Sequence, residues 1–302
     1  VTMLPERPWF ETEAYEDYIV RSGFDTETAA FIRDMAEHGY AVVDLGDEAR
    51  ELCDRAIADT RRYFKRPGIS RVQDAWYRSR AVRKLASSSR IRELLRAAYG
   101  RDPFPFQTLN FEAGSQQPLH ADTIHFSSVP ERFMCGVWIA LEDVEEGAGP
   151  LVYHPGSHKL PIMTMREAGV NTALPAVEDY ERAFVPRFAE RIAAAGLPAR
   201  HALIKKGWAF VWAANLAHGG SAITKPGSTR RSLVVHCYFE DCLYYTPMTS
   251  DETAGRYDLR VPANVRTGLW TWPRLNGRPA QMRAKRVFGG VIRDVLRIPF
   301  AN

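Results

Sequence analysis

Five short segments rich in β-branched and aromatic residues, Phe106–Phe111, Phe133–Leu141, Leu151–Tyr153, Ala209–Trp212 and Ser232–Phe239, are set off by turn residues. Strands of that length at close, irregular spacing fit an antiparallel barrel or sandwich rather than βαβ units. No Gly-rich phosphate loop opens a helix, so neither a dinucleotide nor a P-loop site has support. The first hundred residues read mainly as helix. Asp25 and Thr26 offer N-cap chemistry, Ala30, Phe31, Met35 and Ala36 follow at helical spacing, and Gly39 stops the run. Tyr40 to Leu45 reads as a strand, and helical periodicity resumes from Asp47 to Phe64 and from Ser89 to Tyr99. Tyr180, Phe184, Phe188 and Ile192 form a helical stripe between strands, an insertion rather than a separate domain. The expectation is a mainly β protein with flanking α, one domain over residues 1–302. It has a helical part at 1–103, a β core at 104–240 with a helical insert at about 165–200, and an extension at 241–302.

Composition narrows the function classes. A net charge of +4, with 25% charged and 45% hydrophobic residues, excludes a disordered tail, a collagen-like chain and a coiled coil. No apolar stretch approaches the roughly 18 residues of a membrane helix, and the acidic start (Glu6, Glu11, Glu13, Glu16, Asp17) is unlike a secretion signal. Cys53, Cys135, Cys237 and Cys242 are too few and too scattered for a disulfide scaffold or a zinc ribbon. Arginine is spread along the chain, a weak footprint for nucleic acid. A soluble protein of the cytoplasm is expected, with no nucleic-acid or membrane partner.

The residues that carry chemistry begin with His120 and Asp122 in Leu119-His120-Ala121-Asp122. At a strand end, positions i and i+2 project from one face, so an imidazole and a carboxylate converge. His218, placed at a turn between the apolar segment Phe210–Leu216 and Gly219-Gly220, supplies a third ligand. Two histidines and one carboxylate leave open positions on an octahedral ion, an arrangement suited to non-haem Fe(II) and oxygen chemistry. Such a site needs an electron source. 2-Oxoglutarate chelates iron through its keto acid end, and its far carboxylate needs an arginine. Arg230 and Arg231 open the strand after His218, and alternation leaves the choice between them open. Arg231 shares a face with Leu233, Val235, Cys237 and Phe239, whereas Arg230 shares one with Ser232, Val234, His236 and Tyr238. The more polar lining favours Arg230.

Around these residues stand Gln117-Pro118-Leu119-His120-Ala121-Asp122, Trp138-Ile139-Ala140-Leu141-Glu142-Asp143, Gly149-Pro150-Leu151, Pro155-Gly156-Ser157-His158-Lys159, His218-Gly219-Gly220 and Thr229-Arg230-Arg231-Ser232. In that order they resemble the phytanoyl-CoA dioxygenase-like family of Fe(II)- and 2-oxoglutarate-dependent oxygenases. The resemblance covers roughly residues 104–240, with a looser likeness around Gly39-Tyr40-Ala41-Val42-Val43. It implies a double-stranded β-helix, or cupin-like jelly roll. It implies His120, Asp122 and His218 as iron ligands, Arg230 as the partner of 2-oxoglutarate, and Trp138 as a lining of the co-substrate pocket. Thr108 and Asn110 lie on a strand resembling one that contributes polar contacts to 2-oxoglutarate. The family's serine two residues after the distal histidine is Gly220 here, and Ser221 follows it as a candidate contact. Twelve residues separate His218 from Arg230 where eleven is more usual.

His125, Gln107 and His236 are candidates to line the substrate site. His154 and His158 read as architectural, Cys237 and Cys242 as plain thiols, and Glu142-Asp143 with Glu145-Glu146 as a solvated acidic turn. The expected activity is that of an Fe(II)- and 2-oxoglutarate-dependent dioxygenase, using O2 to hydroxylate an unactivated C–H bond of a small-molecule or natural-product intermediate with release of succinate and CO2. By the same resemblance, the Asp122 carboxylate favours hydroxylation over halogenation. The alternatives are a desaturation or epoxidation outcome, a non-catalytic metal-binding jelly-roll module, or a zinc or manganese enzyme. Arg256, Arg260, Arg266, Arg274, Arg278, Arg283 and Arg286 permit an anionic or carrier-bound substrate, and solvated arginines explain them equally well.

Overall fold

Capping fixes the helical boundaries. The Asp25 carboxylate accepts from the Thr28 amide at 2.7 Å, and Gly39, at φ 80°, ends the helix in the left-handed region that glycine enters without strain. The computed structural model describes residues 4–170 and 177–281. Arg283, Arg286 and a short stretch of the expected insert lie outside them. The helices of the first part are α1 (Tyr15–Ser22), α2 (Thr26–His38), α3 (Asp47–Phe64), α4 (Arg80–Ala86) and α5 (Ser89–Tyr99). The strands are β1 (Tyr40–Asp44), β2 (Arg71–Gln73), β3 (Pro103–Phe111), β4 (Ser127–Val129), β5 (Met134–Ala140), β6 (Leu151–Tyr153), β7 (Arg200–His201), β8 (Trp208–Ala213), β9 (His218–Gly220), β10 (Ser232–Phe239), β11 (Leu243–Tyr245), β12 (Arg274–Leu275) and β13 (Arg278–Pro279).

Six strands form an antiparallel sheet in the order β1-β8-β5-β10-β3-β2, and β7-β6-β9 form a smaller one. Alternation gives the large sheet two different faces. Cys135, Val137 and Ile139 of β5, Ala209, Val211 and Ala213 of β8, and Leu233, Val235 and Cys237 of β10 pack with Phe31, Met35, Leu52, Ala56, Leu94 and Leu95 of the helices. The opposite face carries Trp138, Phe210, Trp212 and Val234, which pack with Leu151 and Tyr153 of the small sheet. The Phe210 ring stacks on Tyr40 at 4.8 Å and meets Tyr153 at 4.7 Å, joining the two sheets. The inner face of the large sheet therefore looks onto the segment that carries the candidate ligands.

The insert comprises α6 (Val177–Asp179), a π turn (Tyr180–Phe184) and α7 (Val185–Ala194). Its buried Phe184, Phe188 and Ile192 pack on Ala121 and Ile124, so the apolar stripe is core that covers the Asp122 turn. Two local expectations are corrected. His218 lies in a strand rather than a turn, because Gly219 and Gly220 pair with Val152 and Leu151. His120 and Asp122 do not share a strand face. His120 makes an isolated bridge to His218, and Asp122 opens a 3-10 turn. Among the described residues, no helix is long and apolar enough to cross a membrane, and all four cysteines are buried free thiols.

Candidate metal centre

The three ligands converge because two backbone hydrogen bonds join their segments. The His120 amide donates to the His218 carbonyl at 2.9 Å, and the His218 amide returns the bond at 2.8 Å. This rung sets the two imidazole centroids 4.4 Å apart. Asp122 Oδ1 stands 3.9 Å from His120 Nε2 and 3.8 Å from His218 Nε2. One ligand atom from each of the three residues lies within 4.8 Å of the others, and all three residues are buried. Each imidazole is oriented by its own backbone. His120 Nδ1 is 2.8 Å from the Pro118 carbonyl and His218 Nδ1 is 2.9 Å from the Leu216 carbonyl. An Nδ1–H donated to a carbonyl leaves the Nε2 lone pair for an ion. Burial brings His120 down to about 3, so its ring is neutral at neutral pH, the form that ligates. Burial alone pushes the Asp122 carboxyl up, but His218, His236 and His120 together with a Trp212 hydrogen bond hold it below its ordinary value.

On the inner face beyond the ligands, the Arg230 guanidinium is 3% exposed. It donates to Ser232 Oγ at 3.2 Å and lies 5.2 Å from the Trp138 ring centroid. Its Nε and the Trp138 Nε1 are buried without a hydrogen-bond partner among the described residues. Burial lowers Arg230 to about 10. Arg231 turns the other way, bonding Glu142 at 2.8 Å and lying 3.7 Å from Glu112. Glu142 is therefore an ion-pair residue rather than part of a solvated turn. A buried guanidinium with unused donors is a site for an anion.

A family model for phytanoyl-CoA dioxygenase (PhyH) matches residues 29–232, a span holding all three candidate ligands and Arg230. The chain belongs to the PhyH family. The peroxisomal phytanoyl-CoA dioxygenase of Rattus norvegicus is 28% identical over 160 residues, 51% of this chain and 43% of that protein, so the chain spans less than half of that relative's length. Among solved structures, the α-ketoglutarate-dependent carbocyclase SnoK of nogalamycin biosynthesis superposes with a TM-score of 0.55 at 16% identity, covering 87% of this chain and 95% of SnoK. The epimerase SnoN, in complex with Fe3+, α-ketoglutarate and nogalamycin RO, gives 0.54 at 20% identity, covering 72% of this chain and 86% of SnoN. At these identities the likeness is one of fold.

Within this PhyH chain, His236 Nε2 lies 3.8 Å from Asp122 Oδ2, and His236 Nδ1 lies 2.9 Å from Gln107 Oε1. His125 lies beside His120 at a ring separation of 6.1 Å, with its Nε2 3.2 Å from the Tyr180 hydroxyl. These three residues are brought to the centre. Thr108 and Asn110 are not. They pair across the ladder with Val235 and Leu233, and directly opposed residues share a face, so both turn toward the helices. Ser221 is not brought there either, since its hydroxyl donates to the Pro150 carbonyl. A side chain at Gly220 would meet the Gln116 amide nitrogen at 2.6 Å, which excludes the family's serine from that position. His158 and His154 bond the Ala36 and Leu197 carbonyls, architectural positions.

Sequence reasoning missed two residues. Trp212 Nε1 donates to Asp122 Oδ2 at 2.8 Å. Gln117 Nε2 lies 3.2 Å from His120 Nε2, at the lone pair an ion would take. Alternation along Trp208–Ala213 puts Trp212 on the face of Phe210, a usable signal. Gln117 stands inside the motif but had no assigned role.

Proposed function

We propose that this chain is an Fe(II)- and 2-oxoglutarate-dependent oxygenase. It would be one domain over residues 1–302, a double-stranded β-helix of cupin-like jelly-roll type with flanking helices, and it would hydroxylate an unactivated C–H bond of a small-molecule substrate. The observation that carries this reading is the buried His120–Asp122–His218 cluster together with Arg230, a buried guanidinium whose Nε has no hydrogen-bond partner among the described residues. PhyH membership and the fold shared with α-ketoglutarate-dependent enzymes support it.

The residues present fit the group. Two imidazoles and one carboxylate suit a ferrous ion and would leave positions for a chelating keto acid and O2. Bound there, iron and 2-oxoglutarate supply the oxidation, with O2 consumed, succinate and CO2 released, and one oxygen atom passed to substrate. The protein's part is placement. Trp212 fixes the Asp122 carboxylate, the Pro118 and Leu216 carbonyls aim the imidazoles, and Arg230 offers its free donors to the distal carboxylate of 2-oxoglutarate. Trp138 and Phe111, 5.2 and 5.9 Å from that guanidinium, exclude water around the pair and strengthen it.

The test is succinate formation by protein loaded anaerobically with Fe(II) and 2-oxoglutarate and then exposed to O2, with H218A as control. Succinate above the control supports the proposal, and none from protein that retains iron favours a non-catalytic metal-binding module. The product's mass reports the outcome. Gain of one oxygen atom marks hydroxylation, loss of two hydrogens marks desaturation, and an unchanged mass marks epimerisation, the activity named for SnoN.

A further inference from the structure

Several arginines among the described residues are matched by acids. Arg231 is paired by Glu142, Arg132 by Glu11 and Arg256 by Asp251. Besides Arg230, both Arg260 and Arg71 have no acid within ion-pair distance among the described residues. Arg260 donates from Nη1 to Thr246 Oγ1 at 3.1 Å, and its guanidinium carbon lies 5.0 Å from the Phe126 ring centroid. Its Nε is buried without a partner among the described residues. Phe126 is 5.0 Å from the His236 ring, and His236 Nε2 is 3.8 Å from Asp122. Two neighbouring rings, tilted by 45°, thus separate Arg260 from a candidate ligand. Arg71 stands on the same inner face, at the edge strand β2. It pairs with Phe111, and the opposed residues share the inner face, where Phe111 also lies near Arg230. Arg71 is exposed, and it makes no ion pair among the described residues. The Phe126 ring under Arg260 also lies 6.3 Å from the His125 ring.

We propose that Arg260 and Arg71 form the recognition site for an oxyanion group, a carboxylate or a phosphate, on the primary substrate, seated beside His125. This rests on the oxygenase reading above and adds the substrate's charge to it. Of the arginines after residue 255, this assigns the role to Arg260. Arg256 is satisfied by Asp251, Arg274 bonds the Gly277 carbonyl, and Arg83 bonds the backbone carbonyl of Arg266. The Arg260 Nε, buried and unpartnered among the described residues, is a donor for which little water competes with an anion. The stack of Arg260 on Phe126 holds the planar fork in place, so little ordering cost remains when an oxyanion binds.

The experiment uses the full chain with Fe(II) and saturating 2-oxoglutarate under anaerobic conditions, titrated calorimetrically with hexanoate, hexyl phosphate and hexanol, which differ only in the headgroup. At least one anion should bind about ten-fold or more tightly than hexanol, as expected for a charge-assisted contact. The favoured anion identifies the source. R260Q should abolish that preference, R260K should retain part of it, and 2-oxoglutarate affinity should stay within about three-fold of wild type in each, a difference under about 0.7 kcal/mol. If R260Q does not fold, R71Q at an exposed position decides in its place. Equal binding of all three probes, no binding by any, or an undiminished preference in the deciding variant would overturn the inference. Failure of the wild-type chain to bind 2-oxoglutarate at all would instead defeat the oxygenase reading itself.

Discussion

Replacing Arg230 by methionine separates the energetics of an unpaired buried cation from those of the ligand it awaits. Burial lowers the guanidinium from its ordinary value, by more than two pH units, to about 10. At about 1.4 kcal/mol for each tenfold change, keeping it charged near neutral pH costs the fold roughly 3 kcal/mol. The native state holds the proton less tightly than the unfolded chain. The penalty is therefore complete below pH 10 and is relieved only as pH rises above that value. R230M keeps a side chain of similar length without the charge. After loss of the Ser232 hydrogen bond and some packing, it should raise the stability of the metal-free protein by about 1–2 kcal/mol. Its binding of 2-oxoglutarate should weaken by about 2–4 kcal/mol, roughly 30- to 1,000-fold, because the distal carboxylate loses a buried charge-assisted partner. Denaturant titration of the metal-free proteins gives the first quantity, and anaerobic calorimetry with Fe(II) gives the second. R231M, at a position paired with Glu142 and turned away, should leave 2-oxoglutarate affinity within about three-fold of wild type. Unchanged affinity in R230M, or a metal-free protein as destabilised as by a core truncation, would refute the reasoning.

The remaining predictions follow from single contacts. W212F removes the donor to Asp122 and should weaken Fe(II) binding about 10- to 100-fold in a competitive chelator titration. G39A forces a side chain to a positive φ and drives its Cβ to 2.3 Å from the His158 ring, and it should cost at least about 2 kcal/mol in denaturant unfolding. Burial lowers His158 from 6.5 to about 4, so this ring is held neutral in the fold and its contribution is lost as pH falls from 6.5 toward 4. Between about pH 7.5 and 5, wild type should lose roughly 2 kcal/mol more stability than H158N, a difference in slope that packing loss does not affect.

Local chemistry made most elements legible. The run from Asp47 to Phe64 is a helix at those bounds, and Ser232–Phe239 is a strand that turns Leu233, Val235 and Cys237 to the helices. What local chemistry could not supply was partnership across the chain. Thr108 and Asn110 share a face, as alternation requires, but only pairing with β10 decides which face, and a bulge near Cys237 intervenes. Gly219 and Gly220 read as a turn because glycine punctuates loops. Here they form a strand pressed against residues 116 to 119, where a Cβ on either would lie within 2.9 Å of backbone or side-chain atoms. The two adjacent arginines are told apart by acids far off in sequence, Glu112 and Glu142, which claim Arg231 and leave Arg230 to the cavity.

The rung between His120 and His218 has a consequence for metal loss. Their two backbone hydrogen bonds add a bridge at the β9 edge of the small sheet and also set the spacing of the imidazoles, so chelation would be coupled to this edge pairing. A bound ferrous ion would act as a clasp between distant stretches of polypeptide and add its binding energy to the folded form alone. Hydrogen exchange at these two amides would then track occupancy, slowing when iron arrives and quickening when a chelator strips it away.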